Sequence, residues 1–291
     1  MNDTDASRAD LAFAALQRVL PTRFLSWLIY LVTRIRNKPF KNAFIRVFMS
    51  IYRINLDEAR FSRIDAYESF NDFFVRALKP GARPLDPTPQ SLASPVDGTI
   101  SQLGDIVDGR IFQAKGHSYT ASELLGGDPQ LAAPFRNGRF CTIYLAPYNY
   151  HRIHMPLDAR LTHWSYVPGR LFSVNPATAR ALPGVFARNE RVCAVFDSEA
   201  GPFAMVLVGA LFVGSMETVW AGRISPPHKR SGVEHFEPIH PVTLARGDEM
   251  GRFNMGSTVI LLTGPNAVAW EPLLRCGSEL RMGQKIGQIL S

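Results

Sequence analysis

Apolar positions return at helical spacing from residue 9 to residue 56. Phe24, Leu28, Leu31 and Ile35 make one stripe, and Phe40, Phe44, Val47 and Ile51 make another. Pro21 and Pro39 suit helix starts and divide this region into three segments. Near residue 60 the texture changes. Residues 66–84 (AYESFNDFFVRALKPGARP) predict a short helix ending at Pro80-Gly81. Beyond it, short β-rich runs are set apart by Gly, Pro and Asn: Thr99–Leu103, Phe140–Leu145, Val192–Phe196, Ala204–Val213, Thr258–Leu262 and Ile286–Leu290. Such spacing predicts a mainly antiparallel β body. The expected fold is α+β, with N-terminal amphipathic helices over residues 1–60 and a β-rich domain over 61–291.

Charge sharpens the reading of the first region. Between Leu11 and Leu56 stand eight basic residues (Arg18, Arg23, Arg34, Arg36, Lys38, Lys41, Arg46, Arg53) and no acidic one. The longest uncharged run, Phe24–Thr33, has ten residues, whereas a bilayer-spanning helix takes about 20. The first ten residues are acidic and polar, unlike a cleavable signal. Basic residues interleaved with apolar stripes fit helices lying in a lipid interface, and they equally fit a bundle packed on its own domain. The whole chain has 291 residues, 46% of them hydrophobic, and a net charge of +7. It therefore folds around a core and favours an anionic partner, either nucleic acid or an acidic membrane surface. Its three cysteines form no CxxC pair, so neither a disulfide framework nor a thiolate metal site is indicated.

Three stretches carry candidate chemistry. In Ser94-Pro95-Val96-Asp97-Gly98-Thr99 an acid sits in a Pro/Gly-bounded turn before a strand, a common turn-forming arrangement. Tyr150-His151-Arg152-Ile153-His154-Met155-Pro156 holds two histidines. It has no HExxH pattern and no neighbouring acid or cysteine to complete a zinc set, so a base or proton donor is the better reading. In Asn254-Met255-Gly256-Ser257-Thr258 a serine follows glycine at the mouth of a strand, without the glycines of a nucleophile elbow. Together Asp97, His154 and Ser257 supply an orienter, a base and a nucleophile. A serine hydrolase using these three is one rival; a zinc hydrolase using His151, His154 and His240 is another. A non-enzymatic membrane-docking module on a biotinyl-like β fold, suggested by SPVDGTI and RMGQKIGQIL, is a third.

The three stretches also resemble those of the bacterial, membrane-associated phosphatidylserine decarboxylases. FNDFFVRALKPGARP (70–84), QAKGHSY (113–119), YVPGRLFSVN (166–175) and VGSMETVWAG (213–222) extend the likeness over residues 60–291. Met255 stands where the family usually has leucine, a residue of similar size. The resemblance implies a precursor in which Ser257 attacks the carbonyl of Gly256, with His154 as base and Asp97 as its orienter. Cleavage yields a β chain of residues 1–256 and an α chain of 257–291 whose first residue becomes a covalent pyruvoyl cofactor. The pyruvoyl ketone condenses with the amine of phosphatidylserine and accepts the electrons released with CO₂. His151 is then the expected proton donor, and no metal takes part. The implied partners are the lipid substrate, an anionic membrane surface and the chain's own two fragments, with further self-association left open; nucleic acid is not among them. The implied location is the cytoplasmic side of the cell membrane, peripherally bound.

Overall fold

The structure is a computed structural model that describes residues 5–212, 215–224, 232–256 and 258–290. Three helices open the chain: α1 (Arg8–Val19), α2 (Thr22–Val32) and α3 (Lys38–Tyr52). Ser7 caps α1 in a reciprocal capping box with Asp10, and Asn37 caps α3, which carries Pro39 in its first turn. The prolines thus divide the region as their positions predict.

The faces of α1 and α2 are largely inverted relative to an ordinary surface helix, and α3 buries polar residues beside Ile45. The buried residues of α1 include Asp10 and Gln17, those of α2 are Thr22 and Ser26, and those of α3 include Lys41 and Asn42. Each of several inward polar groups has a partner on the body. Asp10 pairs with Arg180 at 2.9 Å, and Gln17 accepts the Ser173 N–H at 2.6 Å. Ser26 accepts the Phe212 N–H at 3.1 Å, and Asn42 donates to Asp65 at 2.6 Å. Leu16, Val19, Phe24, Leu31, Val47 and Ile51 face outward and are exposed. Among the described residues no helix is long and apolar enough to cross a membrane.

Helix α4 is only Phe70–Phe74, shorter than the pattern over 66–84 predicts. The reason is competition from extended pairing: Arg60 N–H bonds to the Ala77 carbonyl and Lys79 N–H to the Glu58 carbonyl. Phe70, Phe73 and Phe74 pack with Ile45, Ile54, Leu56 and Tyr67 into a small core of their own. That core draws on residues from both sides of position 60, so α3 and the segment after it are one packing unit.

The body is antiparallel. Its main sheet runs in the spatial order Glu234–Phe236, Ala159–Val167, Arg191–Ser198, Gly201–Val208, Thr258–Thr263, Arg139–Tyr144, Gly98–Asp105, Glu279–Leu280, with Val242–Leu244 also paired to Ala159–Val167. Thr258–Thr263 lies in the interior of this sheet with all six residues buried, and it reads as a continuous apolar run because both faces are covered. A second sheet joins Gly222–Arg223, Met216–Thr218, Glu249–Phe253 and Arg152–His154; a third joins Ser91–Ala93, Lys285–Ile289 and Val268–Trp270. The chain leaves the second sheet at Phe253 and enters the main sheet at Thr258. Residues 254–256 therefore open a crossover between two sheets.

Candidate active site

The crossover is pinned from its first residue. The Asn254 amide donates to Ser215 Oγ and Glu217 Oε1, both at 2.9 Å, and its oxygen accepts from Asn71 Nδ2 at 2.9 Å. Met255 follows with φ 155, outside the usual range for a side-chain-bearing residue. Gly256 comes next in a tight place: a Cβ built on it would lie 3.2 Å from the Leu145 carbonyl oxygen and 3.3 Å from His151 Nε2. Ser257, the expected nucleophile, lies outside the described residues.

His151 reaches Gly256 because its strand pairs with the one leading into the crossover. Arg152 stands opposite Arg252, and the Phe253 N–H bonds to the His151 carbonyl at 3.1 Å. Side chains of an extended segment alternate sides, so His151 and His154, three apart, project to opposite faces. The two imidazoles have different surroundings in consequence. His151 Nδ1 meets the Asn149 carbonyl at 2.8 Å, which fixes the proton on Nδ1 and leaves Nε2 as an acceptor. That Nε2 is buried and has no hydrogen-bond partner among the described residues. The ring packs on Phe74 with centroids 4.1 Å apart. Burial, reinforced by the nearby Arg76 charge, pushes its pKa down to about 3.

His154 Nδ1 donates to the Gly247 carbonyl at 2.8 Å, and its Nε2 accepts from the Tyr150 hydroxyl at 3.0 Å. Burial lowers its pKa also, against the pull of Gly247 and Glu249. Burial likewise pushes the Tyr150 hydroxyl up to about 12, so it stays a donor at neutral pH.

Asp97 occupies the turn before strand Gly98–Asp105. Gly98 is required there, since a Cβ would meet the Tyr144 carbonyl oxygen at 2.6 Å. The expectation that Asp97 grips His154 meets a different arrangement. Both carboxylate oxygens bond to Arg83, at 2.8 and 2.5 Å, and one also accepts the Met282 N–H at 2.8 Å. The Gly247 carbonyl, not Asp97, holds the His154 tautomer. Burial opposes the charge on Arg83, yet Asp97 and Glu58 outweigh it and raise its pKa above the ordinary arginine value. Asp97 still acts on the Tyr150–His154 pair through its charge.

A cavity of about 200 Å³ has Gly256 in its wall. Phe48 and Tyr52 of α3, Phe74, Leu211 and Met255 are among its walls, and its polar groups include Ser173 and Asn175. It thus runs between the outward-apolar helices and the crossover. Among the described residues no group of three or more His, Cys, Asp or Glu side chains is placed to hold a metal ion. Sequence reading finds the histidines and Asp97 but not Phe74, Tyr150, Arg83 or Asn254 as their supports. FNDFF and the tyrosine of YHRIH were visible; what they touch depends on sheet register.

A buried imidazole nitrogen without a partner among the described residues, the wall of a largely apolar cavity and a crossover with a positive-φ residue thus meet around Gly256. The comparisons give the family. A sequence profile described as phosphatidylserine decarboxylase matches residues 70–288, and a second, described as PSD, matches residues 12–53. A phosphatidylserine decarboxylase proenzyme of Pseudomonas fluorescens is 53% identical over 277 residues, covering 94% of this chain and 96% of the relative. Proenzymes of the same description from Pseudomonas entomophila (54% over 276 residues; 94% and 96% covered) and Nitrosococcus oceani (52% over 283; 97% and 92%) are similar to it as well. The chain belongs to the phosphatidylserine decarboxylase family.

Proposed function

We propose that the chain is a precursor that cuts itself between Gly256 and Ser257, carries a pyruvoyl group made from Ser257, and decarboxylates phosphatidylserine to phosphatidylethanolamine at a membrane surface. The observation that carries this reading is the His151 Nε2, without a hydrogen-bond partner among the described residues, beside Gly256, which also lines a cavity large enough for a polar headgroup.

For the cut, the Ser257 hydroxyl must lose its proton and reach the preceding carbonyl. Met255 and Gly256 supply a bent backbone held between Asn254 and strand Thr258–Thr263. His154, with Nδ1–H held by Gly247, presents Nε2 as the basic nitrogen; Tyr150 sits on that nitrogen, and the Asp97 charge favours a proton on the pair. Asp97, His154 and Ser257 are the proposed processing set.

The residues around Gly256 fit a ketone-bearing group: His151 Nε2 lies beside it and, when it carries a proton, can donate to a carbonyl oxygen, and Gly256 itself forms part of the cavity wall. Bound there, the pyruvoyl group supplies the sink for the electrons that CO₂ leaves behind. His151 is the proposed group to hold and return a proton at the carbon that lost CO₂, since its buried Nε2 lies beside Gly256 and has no hydrogen-bond partner among the described residues. Phe74 and the Asn149 carbonyl keep its ring from turning. The apolar walls exclude water from the reacting end.

The N-terminal helices support docking on lipid. Their polar faces are satisfied against the body, so the outward Leu, Val, Phe and Ile side chains are the surface left to enter an interface. The basic residues between them suit the anionic phospholipid of the cytoplasmic leaflet. The two fragments remain one molecule through the strand ladders of residues 258–263.

Intact-mass analysis of the purified protein tests the reading. Wild type should give two chains, 1–256 and 257–291, with the second blocked at its N-terminus, and Ser257→Ala one uncut, inactive chain. His154→Ala should remain uncut, while His151→Ala should be cut yet release no CO₂ from phosphatidylserine. A 257–291 fragment from Ser257→Ala would overturn self-cleavage, and an uncut His151→Ala would move the processing base to His151.

A further inference from the structure

We infer that Phe48 and Phe74 are positioning residues that tie the seating of α3 on lipid to the orientation of the His151 imidazole during decarboxylation. The inference rests on the decarboxylase reading above. Phe74 touches His151 directly, with ring centroids 4.1 Å apart. Phe48 does not; it acts through α4, with its ring 5.0 Å from Phe70 and 6.0 Å from Phe74. Phe44 of the same helix stacks on Phe70 at 4.3 Å. A continuous aromatic path therefore runs from α3 to the imidazole.

Three features make this path more than ordinary packing. First, its members belong to the small core, separate from the core of the β body; Met255, next to Gly256, packs against both. The small core has α3 as one of its walls, so its order depends on where α3 sits. Second, the same face of α3 lines the cavity that Gly256 also lines, through Phe48 and Tyr52. Third, α4 is clasped to the histidine-bearing segment by two reciprocal bonds: Arg76 Nη2 to the Tyr148 carbonyl at 3.2 Å, and Arg152 Nε to the Val75 carbonyl at 2.9 Å. A shift of α4 is thus passed to His151.

The flank of α3 beside these rings exposes Phe40, Val47 and Ile51 to water. Lipid contact removes that exposure and favours the seated helix. Seating in turn holds Phe48 on Phe74 and Phe74 on His151. The lipid surface thereby favours the arrangement the proton donor needs, and the enzyme works faster where its substrate lives.

The test uses processed full-length protein and a short-chain, water-soluble phosphatidylserine, with and without phosphatidylglycerol vesicles. Wild-type kcat should rise on adding vesicles by about three- to ten-fold, the scale of one aromatic contact, with KM little changed. Phe48→Ala should still self-cleave and sediment with vesicles, since its side chain faces inward, but lose the rise. Phe48→Tyr, which keeps the ring, should restore it. Phe74→Leu should lower kcat with or without vesicles. Equal stimulation of wild type and Phe48→Ala overturns the coupling, as does a wild-type kcat indifferent to vesicles. Those results leave the decarboxylase reading standing, whereas a wild type that releases no CO₂ under either condition defeats both.

Discussion

A neutral imidazole in the dry interior ties stability to pH. The unfolded chain protonates His151 near 6.5, but the folded chain does so only near 3. The stability that neutral His151 contributes is therefore full above pH 6.5 and lost as pH falls through the window from 6.5 to 3. One proton corresponds to about 1.4 kcal/mol per pH unit, so lowering the pH from 7 to 5 costs about 2 kcal/mol at this residue. Urea unfolding of the uncut Ser257→Ala precursor at the two pH values, beside the same protein with His151→Asn, measures it. The added substitution should remove that part of the slope, and equal slopes would mean that folded His151 accepts a proton near 6.5. At this scale the motifs pointed to the candidate side chains of the proposed chemistry but not to their partners. His154 meets Gly247 and Asp97 meets Arg83 and Met282 because of how strands align, and nothing local to YHRIHMP or SPVDGT encodes that alignment.

Among the elements, the helices carry the largest difference between pattern and structure. Periodicity announces an amphipathic helix but not which face meets the body. Here the deciding groups are Asp10, Gln17, Ser26 and Asn42, whose partners lie far away in sequence at Arg180, Ser173, Phe212 and Asp65. The predicted helix over 66–84 stops at Phe74 because residues 77–79 are claimed by bonds to residues 58–60, again a pairing no local pattern reveals. The small core also changes how docking should be probed. Deleting the whole region through residue 56 would strip α3 from Phe70, Phe73 and Phe74. Val47→Ser with Ile51→Ser leaves that core intact, as both side chains are exposed. Burying one such side chain is worth about 1.5–3 kcal/mol, so the pair should weaken co-sedimentation with anionic vesicles by about ten-fold or more. Thermal stability and self-cleavage should be unchanged. Undiminished sedimentation would place the docking surface elsewhere.

For the molecule as a whole, the short runs separated by Gly, Pro and Asn correctly announced an antiparallel β body, and six of the observed strands coincide with them. Strand order was not legible, because it follows from long-range pairing. That order matters here. Residues 258–290 supply an interior strand of the main sheet, two strands of the three-stranded sheet and a short strand on Gly98–Asp105, all hydrogen-bonded to partners before residue 256 or to one another. The proposed cut severs the crossover after Gly256 and leaves every ladder in place.

Before the cut, that crossover keeps the interior strand at high local concentration next to its slot between Arg139–Tyr144 and Gly201–Val208. Afterwards the slot can be refilled only by a separate short peptide at whatever dilution the solution offers. Ser257→Ala diluted out of urea should regain its structure at a rate independent of protein concentration. The mature protein should regain it slowly, with a yield that rises with concentration; identical behaviour of the two would show that the larger fragment refolds without the smaller. Maturation in this sense erases the molecule's memory of how it was assembled. The finished enzyme is held by the height of its unfolding barrier, has a lifetime in place of a reversible equilibrium, and is renewed by synthesis of fresh precursor.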